Sequence, residues 1–143
     1  MENAHVQEIE DATGFKGVKV TFDSGILFAT NSSTLSASAT NCINQIAAVL
    51  NQNKDVDVAI FGHTDSTGSD AINDPLSLKR AQSVEKSLKA KGVSNIKRVE
   101  GQGSHNPVAD NSTAEGKKQN RRVEVYMYAS EKMIKEANAE AAK

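Results

Sequence analysis

The segment of residues 56–91 constrains the fold of this chain most, because a strand pattern, a polar loop and a helix pattern follow one another directly. The hydrophobic run Val56–Phe61 predicts a strand, residues 63–74 form a polar loop, and Leu76–Lys91 has helical spacing. Such a unit is typical of an α/β sheet. Because ligands bind α/β sheets beyond the carboxyl ends of the strands, we expect a ligand site in this loop.

Strand and helix patterns also precede this segment. Residues 18–22 alternate between apolar and polar, a turn signal lies at 23–25, and Ile26–Phe28 follows, which predicts a β-hairpin or a strand with a bulge. The next element is a predicted amphipathic helix, capped by a serine or threonine at 32–34. Its apolar positions recur at helical spacing: Leu35, Ala39, Cys42, Ile43, Ile46 and Leu50.

The helix after the polar loop has recognisable end signals. Asp74 is the predicted N-cap and Pro75 the first helical residue, since a proline at that position costs no helical hydrogen bond. Lys91-Gly92 predicts its end, because glycine suits the left-handed cap. Its predicted buried stripe is Leu76, Ala81, Val84 and Leu88.

Two strands complete the predicted fold. Residues 96–100 predict a short strand, residues 101–119 a loop, and the alternation of residues 123–128 a last strand with one covered face. The element order is therefore βαβαββ. This order predicts an α/β (α+β) sandwich in which a mixed sheet carries two main helices on one face.

The chain length of 143 residues suits one domain. Residues 1–13 are polar without periodicity and are predicted to be a flexible lead-in or linker. Residues 14–129 form the predicted domain. Residues 130–143 are helix-prone but have a thin apolar stripe, so a docked terminal helix and a frayed tail are both compatible with them.

Charge and hydropathy exclude several classes of function. A formal net charge of −1 argues against general nucleic-acid binding, which favours a basic excess. The apolar runs are far shorter than the ~20 residues needed to cross a bilayer, so we expect no membrane insertion by this segment. The single cysteine, Cys42, has no ligand partners at metal spacing and is predicted to be a buried hydrophobic residue. We predict no metal and no cofactor.

Asp65 and Arg80 place an acid and a base at opposite ends of the strand–loop–helix unit. An aspartate accepts hydrogen bonds from an ammonium group, and a guanidinium matches a carboxylate bidentately, so this pair is suited to a zwitterion. The alternative is a pair of exposed charges or a salt bridge between loop and helix, which contributes about 0–1 kcal/mol to stability when exposed.

Two other chemistries fit the loop less well. Its glycines lack the spacing of a phosphate-binding loop, and Asp65 would repel a phosphate. His63 suggests a general base or a metal ligand, but His5 and His105 are remote in sequence, so we interpret it as a hydrogen-bonded structural residue. The sequence contains no nucleophile with a base and an orienting group, and we predict that the protein is not an enzyme.

Several separate motifs occur together in a characteristic order. They are Gly62-His63-Thr64-Asp65, then Gly68, Asn73, Leu76-Ser77 and Arg80-Ala81, followed by Gly101-Gln102-Gly103, Pro107, Asn111, Gly116 and Asn120-Arg121-Arg122-Val123. From about Val18 to Tyr128, the chain thereby resembles the OmpA-like C-terminal family of peptidoglycan-binding domains. The combination and its order carry the resemblance, since no single motif suffices.

The resemblance implies a non-catalytic domain that binds peptidoglycan through the diaminopimelate of the stem peptide and tethers an envelope protein to the cell wall. In such domains the Asp of GHTD receives the ligand's ammonium and the Arg of LS..RA its carboxylate, which implies these roles for Asp65 and Arg80. It also implies a periplasmic location in an outer-membrane-associated Gram-negative protein whose anchor or signal lies outside this sequence. The alternative is a protein-interaction module of an envelope complex, of the stator or secretion-system type.

The resemblance extends to further positions around the expected site, where the strands end. Asn73 corresponds to the family's loop asparagine, although a loop or cap role is the alternative. Asn31 lies in the loop after the first core strand. In that loop this chain has Ala29, where many members of the family have an Asp. We rank Arg121 above Arg122 as a site residue, because the side chain of Arg122 is expected on the other side of the strand. The alternative is that both arginines pair with surface acids. The predicted ligand-binding set is Asp65, Arg80, Asn73, Asn31, Arg121, Leu76 and Thr64.

Overall fold

The computed structural model describes residues 4–10, 16–23, 28, 35–36, 39–52 and 56–129. These residues form five strands, namely β1 (Ala4–Glu10), β2 (Lys16–Asp23), β3 (Val56–His63), β4 (Ile96–Gly101) and β5 (Arg122–Ala129). They also form three helices, namely α1 (Ala39–Gln52), α2 (Asp70–Ala90) and α3 (Ala114–Asn120). Among them, no helix has the length and hydropathy to span a bilayer.

The strands form one mixed sheet in the order β1-β2-β5-β3-β4. Strands β3 and β4 run parallel and are joined through α2, whereas the other neighbours are antiparallel. The last strand, β5, is central, and its Val125 lies between Val20 of β2 and Ile60 of β3. The predicted mixed sheet is thereby confirmed.

Alternate residues of the central strands face α1 and α2 and form the core. Full burial of each large aliphatic side chain contributes about 1.5–3 kcal/mol, so this face provides most of the driving force for folding. The two long helices pack on one face of the sheet, as predicted, and Cys42 is buried within that core as expected. The core residues of the strands are Val20, Phe22, Val58, Ile60, Val123 and Val125, and those of the helices include Ile43, Ile46, Leu50, Ala81, Val84 and Leu88.

The prediction of a flexible lead-in at residues 1–13 is wrong for Ala4–Glu10, which forms β1. This strand pairs in antiparallel register with β2, where Val6 lies opposite Val20. As an edge strand outside the core, β1 is held by backbone hydrogen bonds, and Val6 is 54% exposed. It therefore needs no apolar alternation, and its sequence carries none.

Helix α1 begins later than its apolar spacing predicts. The structure starts it at Ala39, whose N–H donates to the carbonyl oxygen of Ser36 at 3.2 Å and to its hydroxyl at 3.3 Å. Leu35 forms an isolated β-bridge with Phe28 instead of a helical turn. The predicted turn after Asp23, the caps at 32–34 and the tail at 130–143 lie outside the described residues.

Helix α2 begins earlier than predicted, at Asp70, with Ser69 as its N-cap. The carbonyl of Ser69 accepts from the N–H of Asn73 at 2.9 Å, which closes a helical turn before the predicted cap at Asp74. Pro75 lies inside the helix. A proline this near the start removes a single backbone hydrogen bond, so the helix tolerates it.

The end of α2 and the beginning of α3 are defined by local hydrogen bonds. Gly92 has a φ of 92° and the Val93 N–H donates to the carbonyl of Leu88, which confirms the predicted glycine cap. The predicted loop 101–119 contains α3 instead of being irregular throughout. Thr113 caps this helix, since its hydroxyl accepts from the Gly116 N–H at 3.0 Å.

Candidate functional site

Asp65 and Arg121 meet at the end of the sheet where β3 ends and β5 begins. His63 is paired with Arg122 across these strands, so the residues that follow β3 and precede β5 reach the same edge. Nη1 of Arg121 lies 2.5 Å from Oδ2 of Asp65, although the two residues are 56 positions apart in sequence. The edge therefore holds an ion pair between the loop after β3 and the residue before β5.

The carboxylate of Asp65 is fixed on both oxygens. Its Oδ1 accepts from the Thr67 N–H at 2.7 Å, while Oδ2 accepts from Arg121. Burial, which leaves Asp65 only 6% exposed, favours the neutral acid, but the hydrogen bonds from Thr67 and Arg121 outweigh it and hold the pKa of Asp65 below its ordinary value. Asp65 is therefore an ionised, oriented acceptor at neutral pH.

Arg80 brings a second guanidinium to this edge from α2. The side chain is buried, and its Cζ lies 5.2 Å from the ring centroid of Phe28, a cation–π contact. Burial and then the charge of Arg121 lower the pKa of Arg80, whereas the charge of Asp65 raises it. Asp65, Arg80 and Arg121, the three charged members of the predicted site, thus interact electrostatically, but the direct partner of Asp65 is Arg121 and not Arg80.

Asn73 and Thr64 shape the loop that carries Asp65. The amide of Asn73, in the first turns of α2 and not in the loop, donates to the carbonyls of Thr67 at 3.0 Å and Asp65 at 3.5 Å. The hydroxyl of Thr64 donates to the Asp65 carbonyl at 2.9 Å. Both are buried. Leu76 of the predicted set is half-buried on α2, and Asn31 lies outside the described residues.

Close approach of α2 to the sheet fixes the loop. A Cβ on Gly62 would lie 2.0 Å from the carbonyl oxygen of Ser77, and one on Gly101 would lie 2.3 Å from the amide nitrogen of Leu78. The buried Ser77 hydroxyl accepts from the Gly103 N–H at 2.9 Å. The glycines of the GHTD and GQG motifs are therefore explained by the contact between helix and sheet.

Asn120 holds the 108–111 loop beside the site, a role that was not predicted from the sequence. Its fully buried Oδ1 accepts from the N–H groups of Val108 and Ala109, and its Nδ2 donates to the Ala109 carbonyl and to Asn111. Asn111 in turn accepts from the Ser66 N–H at 3.3 Å. The sequence singled out Asn120 only as part of the Asn120-Arg121-Arg122-Val123 motif, since its hydrogen-bond partners are set by tertiary structure.

His63 belongs to a separate buried cluster behind the site. Its Nε2 lies 2.9 Å from Glu124, whose other oxygen lies 3.3 Å from Arg122 and 3.5 Å from Lys19. This arrangement agrees with the interpretation of His63 as a hydrogen-bonded structural residue. It also agrees with the ranking of Arg121 over Arg122, because Arg122 lies with Glu124 and not with Asp65. The expectation of one covered face for β5 is wrong at Glu124, which is buried on the other face.

One group of metal-type ligands occurs in the described part of the chain. Asp70, Asp74 and His105 place ligand atoms within 4.8 Å of one another, and all three are on the surface. The contact between His105 Nε2 and Asp74 Oδ1, at 3.1 Å, ties the loop after β4 to α2. Exposed groups of this kind are common without a metal, and this one is separate from the Asp65 cluster.

Comparison with known proteins assigns the family. The family model described as "OmpA family" matches residues 27–121, which contain β3, α2 and the candidate site up to Arg121. The chain belongs to the OmpA family. The resemblance in the sequence motifs is therefore confirmed.

Two relatives of this OmpA-family chain carry informative names. "Probable lipoprotein YiaD" of Escherichia coli is 45% identical over 107 residues, which cover 74% of this chain and 46% of the relative. "Peptidoglycan-binding protein ArfA" of Mycobacterium tuberculosis is 43% identical over 102 residues, which cover 70% of this chain and 31% of that protein. The matched region thus spans less than half the length of either relative.

A solved structure supports the same fold. "The structure of the cell wall anchor of the T6SS from Pseudomonas aeruginosa" superposes with a TM-score of 0.75 at 29% identity, covering 90% of this chain and 90% of that one. The OmpA-family domain therefore has the fold of that anchor.

Proposed function

We propose that this OmpA-family chain binds peptidoglycan without catalysis, through the diaminopimelate of the stem peptide, and so tethers a periplasmic or outer-membrane-associated protein to the cell wall. The observation that carries the proposal is the buried cluster at the end of β3. There the ionised Asp65, paired with Arg121, lies close enough to the guanidinium of Arg80 that its charge raises the pKa of Arg80 against the effect of burial. An acid and a base at one edge suit the ammonium and carboxylate of one amino-acid head.

Each predicted residue has a place in this proposal. Asp65 receives the ammonium and Arg80 the carboxylate, as the family resemblance implies, with Arg121 beside them. Asn73 and Thr64 act by holding the Asp65 loop, because their polar groups are hydrogen-bonded to its backbone carbonyls. Leu76, half-buried on α2, and Asn31 complete the proposed contacts.

The names of the relatives support a cell-wall ligand. ArfA is named a peptidoglycan-binding protein, and the structural neighbour is titled a cell wall anchor. The wall is a polymer with many copies of its stem peptide, so retention does not require tight binding at each site. A modest affinity for a single muropeptide is therefore compatible with tethering.

Calorimetric titration with a diaminopimelate-containing muropeptide tests the proposal. A charge-assisted hydrogen bond in a buried site contributes roughly 1.5–3 kcal/mol, so Arg80→Ala is expected to weaken binding about tenfold or more. Arg98→Ala, which removes an exposed arginine on β4, is the matched control and is expected to bind like the wild type. Unchanged affinity of the Arg80 variant would remove Arg80 from the site.

Sedimentation with purified sacculi separates tethering from the alternative of a protein-interaction module in an envelope complex. The structural neighbour is named as an anchor of the T6SS, and this name is the observation that favours the alternative. We expect the chain to sediment with sacculi and the Arg80→Ala variant to stay in solution. If neither the chain nor its Arg80→Ala variant sediments with sacculi, and the chain captures an envelope protein, the interaction module is favoured. Release of peptidoglycan fragments would refute a non-catalytic role.

A further inference from the structure

The ion pair between Asp65 and Arg121 occupies the carboxylate oxygen that a ligand ammonium would use. Asp65 Oδ1 is engaged by the Thr67 backbone, and Oδ2 is 2.5 Å from Nη1 of Arg121. A backbone N–H cannot leave without moving the loop, whereas a side chain can rotate away. Of the two groups on Asp65, Arg121 is therefore the one that a ligand can replace.

The difference in exposure between the side chains of Asp65 and Arg121 also indicates that Arg121 is the group that moves. The side chain of Asp65 is 9% exposed, while that of Arg121 is 39% exposed. The backbone of Arg121 is held at the end of α3, where its N–H donates to the Lys117 carbonyl at 3.1 Å. The guanidinium can thus move toward solvent while its backbone stays in place, and the desolvated carboxylate remains behind.

We propose that Arg121 is a built-in competitor for the ligand's ammonium, and that binding exchanges the Arg121 guanidinium on Asp65 for that ammonium. This inference rests on the proposed function. The exchange conserves the charge at Asp65, because one cation replaces another. A dicarboxylate without an ammonium has no group that could release Arg121, so Arg121 determines how strongly the site distinguishes amino acids from simple acids.

The test compares two ligands with the same carbon chain. meso-Diaminopimelate carries two ammonium groups, and pimelate has the same two carboxylates without them. Titrations followed by amide chemical shifts give the dissociation constant of each ligand for the wild type and for Arg121→Gln. In the variant Asp65 lacks its internal cation, so we expect the ratio of the pimelate to the diaminopimelate constant to rise about tenfold or more.

Two further variants serve as controls. Arg121→Lys restores a cation of lower hydrogen-bonding capacity and is expected to bring the ratio back toward that of the wild type. Arg98→Gln, on the sheet surface, is expected to leave the ratio unchanged.

The outcomes separate this inference from the function it rests on. If the wild type binds diaminopimelate but Arg121→Gln keeps its ratio or lowers it, Arg121 is a contact or a structural residue and the exchange is refuted. If the wild type binds neither ligand, the proposed function fails and the exchange fails with it.

Discussion

The Nε2 atom of His63 lies 2.9 Å from the carboxylate of Glu124, and both residues are buried on the face of the sheet opposite the long helices. Lys19 and Arg122 lie near the other carboxylate oxygen, at 3.5 and 3.3 Å. Burial alone would raise the pKa of Glu124, but the hydrogen bond from His63 and the charges of Arg122, His63 and Lys19 lower it to about 2. This cluster links β2, β3 and β5 through one ionised carboxylate.

The low pKa of Glu124 predicts a loss of stability in acid. Because the pKa is about 2 in the folded chain and near its ordinary value of 4.5 after unfolding, the unfolded chain binds the proton first as the pH falls. The stabilisation from Glu124 is complete above the unfolded pKa and is lost as the pH falls toward the folded one. It amounts to about 3 kcal/mol at most. Urea unfolding at a series of pH values measures it.

Glu124→Gln is expected to flatten this pH profile in the acidic range, because the titrating group is gone. Glu100→Gln, which removes a more exposed carboxylate paired with Arg98, is the control and is expected to keep the wild-type slope. Parallel profiles for Glu124→Gln and the wild type would contradict the assignment.

Asn120→Ala is expected to destabilise the fold by about 2–3 kcal/mol, because several backbone groups of the 108–111 loop lose their hydrogen-bond partner. The midpoint and slope of urea unfolding give this value. Asn106→Ala is the control: its side-chain amide donates to Gln102 at the surface, and a loss below about 0.5 kcal/mol is expected. Similar losses in both variants would rule out a special role for Asn120.

Gly62→Ala is expected to destabilise the chain by about 2 kcal/mol or more, because its methyl group would lie 2.0 Å from the Ser77 carbonyl oxygen. The clash is with backbone, so α2 must move away from β3. Gly68→Ala distinguishes steric from conformational effects, since its Cβ would meet nothing closer than 4.0 Å while its φ of 85° costs about 1–2 kcal/mol. We expect thermal unfolding to show a larger loss at Gly62, and the reverse order would argue against the contact.

Phe28→Leu is expected to weaken diaminopimelate binding about two- to fivefold through loss of the ring beside the Arg80 guanidinium. The matched control is Phe61→Leu, since the Phe61 ring lies 5.6 Å from Arg98 on the opposite face of the sheet. Titration calorimetry of the two variants should show an effect only for Phe28. An equal change in both would mean that loss of an aromatic ring in general, and not support of Arg80, explains the result.

Local patterns predicted the elements whose boundaries depend on local chemistry. The cap of α2 at Gly92 and the strand at β3 follow from residues that are neighbours in sequence. The start of α2 was predicted too late, because the Ser69 carbonyl closes a turn that no composition signal marks. Strand β1 was missed because an edge strand is held by backbone hydrogen bonds to β2, which its own side chains do not reveal.

The sequence predicted which residues belong to the candidate site better than it predicted the contacts between them. Asp65, Arg80 and Arg121 came from motif positions, and the structure brings them to one edge of the sheet. Which of the two arginines pairs directly with Asp65 depends on how β5 inserts between β2 and β3. No spacing along the chain contains that information.

The order of the main elements, from β2 through α1, β3, α2 and β4 to β5, and the family were determined by the sequence itself, because periodicity and motif order are properties of neighbouring residues. Tertiary structure alone decided that Asp65 rests against Arg121, that Phe28 lies beside Arg80 and that Glu124 is buried with His63. The reason is that each of these contacts joins residues from different elements. These contacts form only when β5 lies at the centre of the sheet and α2 packs against Gly62.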